Sequence, residues 1–442
     1  MAHYACAIHH DSLPMSTSPS VQTSAQPLAW TDDDLIRHGT PAFRQTNLAL
    51  FAAGLATFGL LYCVQPLMPQ FSQHYGISAA ASALSLSLTT GVLAVAMLFA
   101  GGVSDAWGRK SVMVASLLSS AVLVLLTALM PNWYALLTIR TLLGLTLSGL
   151  PAVAMTYLTE EMHPESIGLG MGLYISGSAV GGMSGRLISG VVADYLGWRA
   201  GVGVVGVIGL ISGLVFWQAL PPSRHFRPQT LRWRALFGRF AGMFRDEGLP
   251  WLFVEGFLLL GAFVTVYNYL GYRLLAPPYN LSQTVVGLIF GIYLVGTFSS
   301  AWMGHLAGKL GRRKVLWTAF ALMLLGVACT MMESLWLIVA GITAITFGFF
   351  GGHSIVSSWV GRRGGSAKAQ ASSMYLFSYY MGSSVAGASG GLFYAAAGWN
   401  GVALFVGAMV LAGLLIALWL RRLQPLPHIV TPPTPMSKGA MP

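Results

Sequence analysis

Residues 45–104, 111–139, 200–223, 274–308, 334–361 and 369–420 contain no Asp, Glu, Lys or Arg and are dominated by apolar side chains. A helix needs about 20 apolar residues to cross the hydrocarbon of a bilayer, so several of these stretches hold two crossings. Short links with Pro, Gly or Asn, such as Met130-Pro131-Asn132, divide them. The pattern predicts twelve spans: 46–69, 82–104, 111–130, 133–156, 168–193, 200–220, 250–272, 284–306, 314–332, 335–359, 370–394 and 400–420. The stretch 221–249 differs, carrying Arg224, Arg227, Arg232, Arg234, Arg239 and Arg245. It reads as a basic linker between a first six-helix bundle, 46–220, and a second, 250–421.

The two bundles repeat one another. Gly101-Gly102-Val103-Ser104-Asp105-Ala106-Trp107-Gly108-Arg109-Lys110 recurs as Gly304-His305-Leu306-Ala307-Gly308-Lys309-Leu310-Gly311-Arg312-Arg313, an offset of 203 residues. Tyr75-Gly76-Ile77-Ser78 ahead of span 2 corresponds to Tyr279-Asn280-Leu281-Ser282 ahead of span 8, each serine placed to cap the next helix. Gly197-Trp198 after span 5 matches Gly398-Trp399 after span 11. The fold class expected is an all-α membrane protein with 12 transmembrane helices in two pseudo-symmetric six-helix bundles. Many transporters are built by such duplication.

Composition excludes a soluble domain. Only 8% of residues are charged and 55% are hydrophobic, against about 25% charged in soluble domains. Of the 24 Lys and Arg, 20 fall on the tails and even-numbered loops, and only Arg199 and Arg273 on the opposite face. By the positive-inside rule the basic face, with both termini, is expected to be cytoplasmic, which fits a bacterial inner membrane. That asymmetry accounts for the net charge of +11 without a nucleic-acid partner. Cys6, Cys63 and Cys329 lack metal or redox spacing and read as small packing residues. The tails, 1–45 and 422–442, are rich in residues of disordered chains and are expected to be disordered cytoplasmic segments; the first carries no signal-peptide pattern.

Chemistry-bearing residues within the spans are few. Arg140 in span 4 and Arg186 in span 5 each lie about seven residues from the outer ends of their predicted spans, roughly 10–12 Å below the outer surface. Each is either tied to backbone carbonyls or biases a site toward an anion. Glu255 is the only carboxylate within a predicted span; it is either an interfacial residue or a proton carrier. His353 and His305 could titrate. Tyr62, Tyr293, Tyr379 and Tyr380 lie near mid-span, with Gln65 and Asn268 further out; they could line a site for planar ligands or simply pack. Glu160 and Glu161, following span 4, could pair with Arg109 or with the linker. Neither a phosphate-binding loop nor a His-Glu-x-x-His motif is present, and no nucleophile–base constellation emerges. No enzyme, cofactor or metal is expected, and any driving energy must come from a gradient.

These motifs resemble the major facilitator superfamily over about 46–421. Gly101, Asp105, Gly108, Arg109 and Lys110 match the family's loop 2–3 signature, and Arg140-Thr141-Leu142-Leu143-Gly144 its Arg-x-x-x-Gly motif. The resemblance implies a gating role for the first set, which could latch the basic ends of the bundles together. The second copy offers Gly311, Arg312 and Arg313 but has Gly308 in place of the acid. The stretch from Gly177 to Arg186 is similar to the Gly-rich motif of drug/proton antiporters, except that Arg186 stands where those have proline. With Leu61–Pro69 and Tyr157–Pro164, the chain resembles the bacterial YnfM-type branch, which is associated with acriflavine sensitivity and efflux. What the resemblance implies is a monomeric, proton-coupled exporter of small organic compounds in the lipid bilayer, working by alternating access. The paired arginines leave an organic-anion transporter as the alternative.

Overall fold

The computed structural model describes residues 35–226, 238 and 240–423. The expectations for 1–34, for 424–442 and for Arg227, Arg232, Arg234 and Arg239 lie outside the described residues. Residues from Ile36 onward form one compact unit. Among the described residues the only β pairing is a single bridge, Ile36 to Met162. Residues 41–45, which the sequence placed in the first tail, are helical. Thr40 accepts a hydrogen bond from Phe43 N and Pro41 opens the helix, a start signal that lies before the first apolar run.

Among the described residues, ten helical segments are long and apolar enough to cross a membrane, including Pro41–Tyr75, Ala79–Trp107, Trp133–Glu161, Leu249–Leu275 and Leu335–Arg363. Two of these ten are far too long for one crossing: Pro164–Ala219 has 56 residues and Lys368–Leu420 has 53. Each is broken by non-helical backbone, at Gly197 (φ 79°, ψ 165°) and at Ala397–Gly398 (φ 55° at the glycine). The chain reverses at both points. A Cβ on Gly201 would lie 2.6 Å from the Ser189 carbonyl oxygen, and one on Gly401 2.1 Å from that of Phe393. In an uninterrupted helix those residue pairs would sit roughly 18 Å and 12 Å apart. Spans 5 and 6, and spans 11 and 12, are thus hairpins with almost no loop. Counted as two crossings each, they give the twelve spans expected.

Local chemistry sets the other boundaries. Ser78 and Ser282 cap spans 2 and 8 by accepting from Ala81 N and Val285 N. Gly108 and Gly311 have φ of 92° and 96°, which an L side chain rarely adopts, so both copies of the repeated motif turn in the same way. The helices outrun the apolar windows by a few residues because their polar ends stay wound.

Packing repeats between the halves. Span 1 lies along the span 5–6 hairpin, and span 7 along the span 11–12 hairpin. A Cβ on Gly181 would lie 2.1 Å from Leu55 O, and one on Gly382 2.0 Å from Phe257 O, so both contacts are backbone against backbone. The halves meet through span 2 on the 11–12 hairpin and span 8 on the 5–6 hairpin.

Candidate functional site

The site begins with a break in span 1. Its α-helix ends at Tyr62, a single 3-10 turn covers Gln65–Leu67, and a short helix resumes at Met68. Pro66 has no N–H to continue the ladder, so carbonyls at the helix end need other donors. Arg140 supplies them from span 4. It is 0% exposed, and its guanidinium donates to Leu60 O (3.2 Å), Leu61 O (2.7 Å) and, through Nε, Ser85 O (2.9 Å). A cation is favoured at a helix C-terminus, where the carbonyl dipoles converge. Ser189 Oγ donates to the Cys63 carbonyl at 2.7 Å. Of the two readings open for Arg140, the geometry is that of a backbone tie.

The break turns Gln65 toward the opposite half. Its amide nitrogen donates to Asn268 Oδ1 on span 7 (2.8 Å), and its carbonyl oxygen accepts from Arg186 Nε (2.6 Å). Arg186 also donates to Gly182 O on its own helix. Its guanidinium carbon lies 4.0 Å from the Tyr62 ring centre, 4.7 Å from Tyr293 and 5.5 Å from Phe290. Buried cation–π contacts of this kind contribute about 2 kcal/mol. Five residues singled out from the sequence (Tyr62, Gln65, Arg186, Asn268 and Tyr293) thus meet where the halves touch. Among the described residues, Arg140 and Arg186 donate to different groups.

A run of aromatic rings leads from there toward the basic face. Tyr293 contacts Phe263, which stacks on Phe349 at 3.9 Å; Phe349 in turn stacks with Tyr379, which meets Tyr380 edge-on at 5.3 Å. His353 lies 4.6 Å from the Tyr379 ring, and its Nδ1 is 2.8 Å from Tyr375 Oη. Glu255 stands apart. It is 0% exposed. None of the described residues forms a hydrogen bond with its carboxylate. His305 is exposed at the end of span 8.

The two faces differ in what holds them. Toward the face opposite the basic loops, hydrogen bonds cross between halves: Ser72 and Ser82 to Tyr272, Gln283 to Pro66 O, Ser384 to Ser87 O, and Thr284 to Asp194. At the basic face, the contacts identified stay within one half. Arg109 joins Asp105 (2.5 Å) and Glu160 (2.7 Å), and Lys110 donates to Leu220 O. Glu161 receives the backbone N–H of His225 and faces its ring at 2.9 Å. In the second half Arg312 donates to Ser358 Oγ, Arg313 to Leu423 O, and Arg363 pairs with Asp246. The second motif copy thus finds a hydroxyl where the first finds a carboxylate. Burial alone would raise the Asp246 carboxyl, but Arg363 and the Gly248 and Leu249 N–H groups hold it below its ordinary range.

Sequence reasoning missed Tyr375, Tyr272 and Asp194. Tyr375 lies four residues before Tyr379, one helical turn away, which was an available signal. Tyr272 and Asp194 sit at span ends, where nothing in the sequence distinguishes a cross-half contact from a solvated one.

A model of the Major Facilitator Superfamily matches residues 50–279 and 258–439. The chain is 50% identical over 405 residues to the inner membrane transport protein YnfM of Escherichia coli, covering 92% of this chain and 97% of that one. It is 48% identical over 385 residues to an MFS-type transporter of Bacillus subtilis, YybF, covering 87% and 94%. Among solved structures, the nucleoside transporter NupG superposes with a TM-score of 0.70 at 15% identity, over 85% of this chain and 99% of that one. An inward-facing, unoccupied bacterial homologue of the lysosomal transporter Spinster superposes at 0.68 and 15%, over 86% and 96%.

Proposed function

Because the chain belongs to the Major Facilitator Superfamily, we propose that it is a proton-coupled secondary transporter that exports small organic compounds across the bacterial inner membrane. The observation that carries this reading is the one-sided closure. Cross-half hydrogen bonds hold one face shut, and the polar contacts identified among the described residues of the basic face stay within halves. With the basic face cytoplasmic, this is the state that loads from inside the cell. Rocking the halves about the Arg186 seam would then open the other face. In that second state the Asp105–Arg109–Glu160 cluster is positioned to meet the basic ends of the second half.

The test is flux in proteoliposomes containing the purified protein, with acriflavine as the probe and a pH dye in the lumen. Accumulation should move protons in step with acriflavine and collapse with an uncoupler; accumulation insensitive to uncoupler rules out proton coupling. One observation favours a second reading, transport of an organic anion. Arg186 lies among aromatic rings with no carboxylate among its identified partners, a setting suited to an aromatic or aliphatic carboxylate. Flux of radiolabelled carboxylates that survives Arg186→Ala removes that alternative.

A further inference from the structure

A cavity of about 440 Å³ lies at the basic face, between the start of span 3 and the end of span 6. Its volume is typical of small-molecule sites. Among the described residues its charged lining consists of Arg109 and Lys110, with no Asp or Glu. Arg109 is already paired with Asp105 and Glu160, and the Phe226 ring, 5.3 Å from its guanidinium carbon, forms one wall. Lys110 is placed differently. Its one identified partner is the Leu220 carbonyl, so its charge has no carboxylate beside it and two of its three N–H donors remain for a ligand. Two hydroxyls share this rim: Ser111 is exposed, and Ser223 Oγ lacks a hydrogen-bond partner among the described residues. Gly108 gives span 3 no side-chain cap, so the N–H groups of its first turn have no helical acceptor.

The cavity changes character with depth. Val114 and Ala115, four and five residues beyond Lys110, lie roughly 6 and 7.5 Å further along span 3. Trp217 precedes Leu220 by three residues on span 6 and is 53% exposed. These three side chains also line the cavity, at the level where the spans enter hydrocarbon and where Trp is enriched. A cationic, hydroxyl-bearing rim above an apolar floor matches the division of a phospholipid between headgroup and acyl chain. A free anion would make no use of the floor. A zwitterionic headgroup would bring its ammonium to a lining without a carboxylate, whereas a net-anionic headgroup meets donors alone. Basic pockets between membrane helices recognise such headgroups.

We propose that this cavity binds an anionic phospholipid of the phosphatidylglycerol type. Lys110 Nζ holds the phosphate, the Ser111 and Ser223 hydroxyls supply further donors, and one acyl chain lies on Val114, Ala115 and Trp217. Because Lys110 also holds the Leu220 carbonyl, occupancy fastens the start of span 3 to the end of span 6, beside the Asp105–Arg109–Glu160 cluster. The site is independent of the cargo and of its coupling to protons.

The test uses purified full-length protein in detergent, with phosphatidylglycerol, phosphatidylethanolamine and glycerol 3-phosphate as separate probes and thermal unfolding as the readout. Phosphatidylglycerol should raise the melting temperature saturably, as a ligand of the folded state does, and the other two should not at equal concentration. Lys110→Gln should raise the half-effect concentration roughly fivefold, the loss expected for one cation near a lipid surface. Arg421→Gln, which removes a cation of the same face outside this cavity, should leave it unchanged. An equal shift from phosphatidylethanolamine, a shift from glycerol 3-phosphate alone, or an unchanged half-effect concentration in Lys110→Gln overturns the proposal. A second arm needs no variant. Wild-type protein is photolabelled with phosphatidylglycerol carrying a diazirine on its acyl chain, and the adducts are mapped by mass spectrometry. Labelling of 111–115 or of Trp217 is expected, and adducts confined to other segments overturn the assignment.

Discussion

Replacing Arg140 by alanine separates a structural cap from a substrate ligand. The side chain is 0% exposed and its three hydrogen bonds all end on backbone carbonyls, two at the broken end of span 1 and one on span 2. Buried hydrogen bonds between membrane helices average about 0.6 kcal/mol and reach about 1.7 kcal/mol. Three of them give roughly 2–5 kcal/mol, before any penalty for the space left behind. Ser189→Ala removes one bond of the same kind, to Cys63 O, and should cost about 0.6–1.7 kcal/mol. Thermal unfolding of the purified protein should therefore rank wild type above Ser189→Ala and both above Arg140→Ala. Arg140→Lys keeps the charge but loses the planar fork that reaches several carbonyls at once, so it should melt closer to the alanine variant than to wild type. If Arg140→Ala melts like the wild type while flux of a carboxylate collapses, the cap assignment is wrong and the residue binds cargo.

Gln65→Ala removes the bonds to Asn268 and Arg186 and should weaken closure of the face opposite the basic loops. Alkylation of Cys63, buried in this state, should then accelerate in a background lacking the other two cysteines; an unchanged rate means that Gln65 does not hold that face. Asp105→Asn leaves Glu160 as the one carboxylate identified beside Arg109 among the described residues and should lower turnover more than expression, and normal flux would exclude a gating role for Asp105. The Asp246 carboxyl is held below its ordinary range when folded. Its contribution to stability is therefore fully present above the ordinary carboxylate value and is lost as pH falls through the lowered one. Melting temperature against pH should show that acid-side loss in the wild type and a flatter profile in Asp246→Asn.

The spans were legible because lipid enforces a simple rule: charge-free runs of sufficient length have few alternatives. The reversals at Gly197 and Gly398 were legible too, since a Gly-Trp pair follows each of two equivalent runs. Pro66 signalled the break in span 1 but not its purpose, because the donor that satisfies the freed carbonyls comes from Arg140, 79 and 80 residues further along the chain. The sequence left Arg140 with two readings, and only its three carbonyl partners separate them. Glu255 was visible as the lone acid among the spans; its lack of a hydrogen-bond partner among the described residues was not. The contact between His353 and Tyr375 joins different helices with no periodicity in common, so no local pattern could announce it. The early helix start at Pro41 was overlooked because hydropathy marks where lipid begins, whereas capping chemistry marks where winding begins.

The hairpin at Gly197 has a mechanical consequence. With no slack between its arms, spans 5 and 6 cannot slide independently and must tilt as a single lever. One arm bears Arg186 and the other ends at Leu220, gripped by Lys110, beside Pro221, whose carbonyl accepts from Tyr157. Tension on the connecting segment would therefore be felt at Arg186 without passing through any flexible joint. A fluorophore fixed just beyond Pro221 should report a change in the contacts of Arg186 as faithfully as one placed beside it.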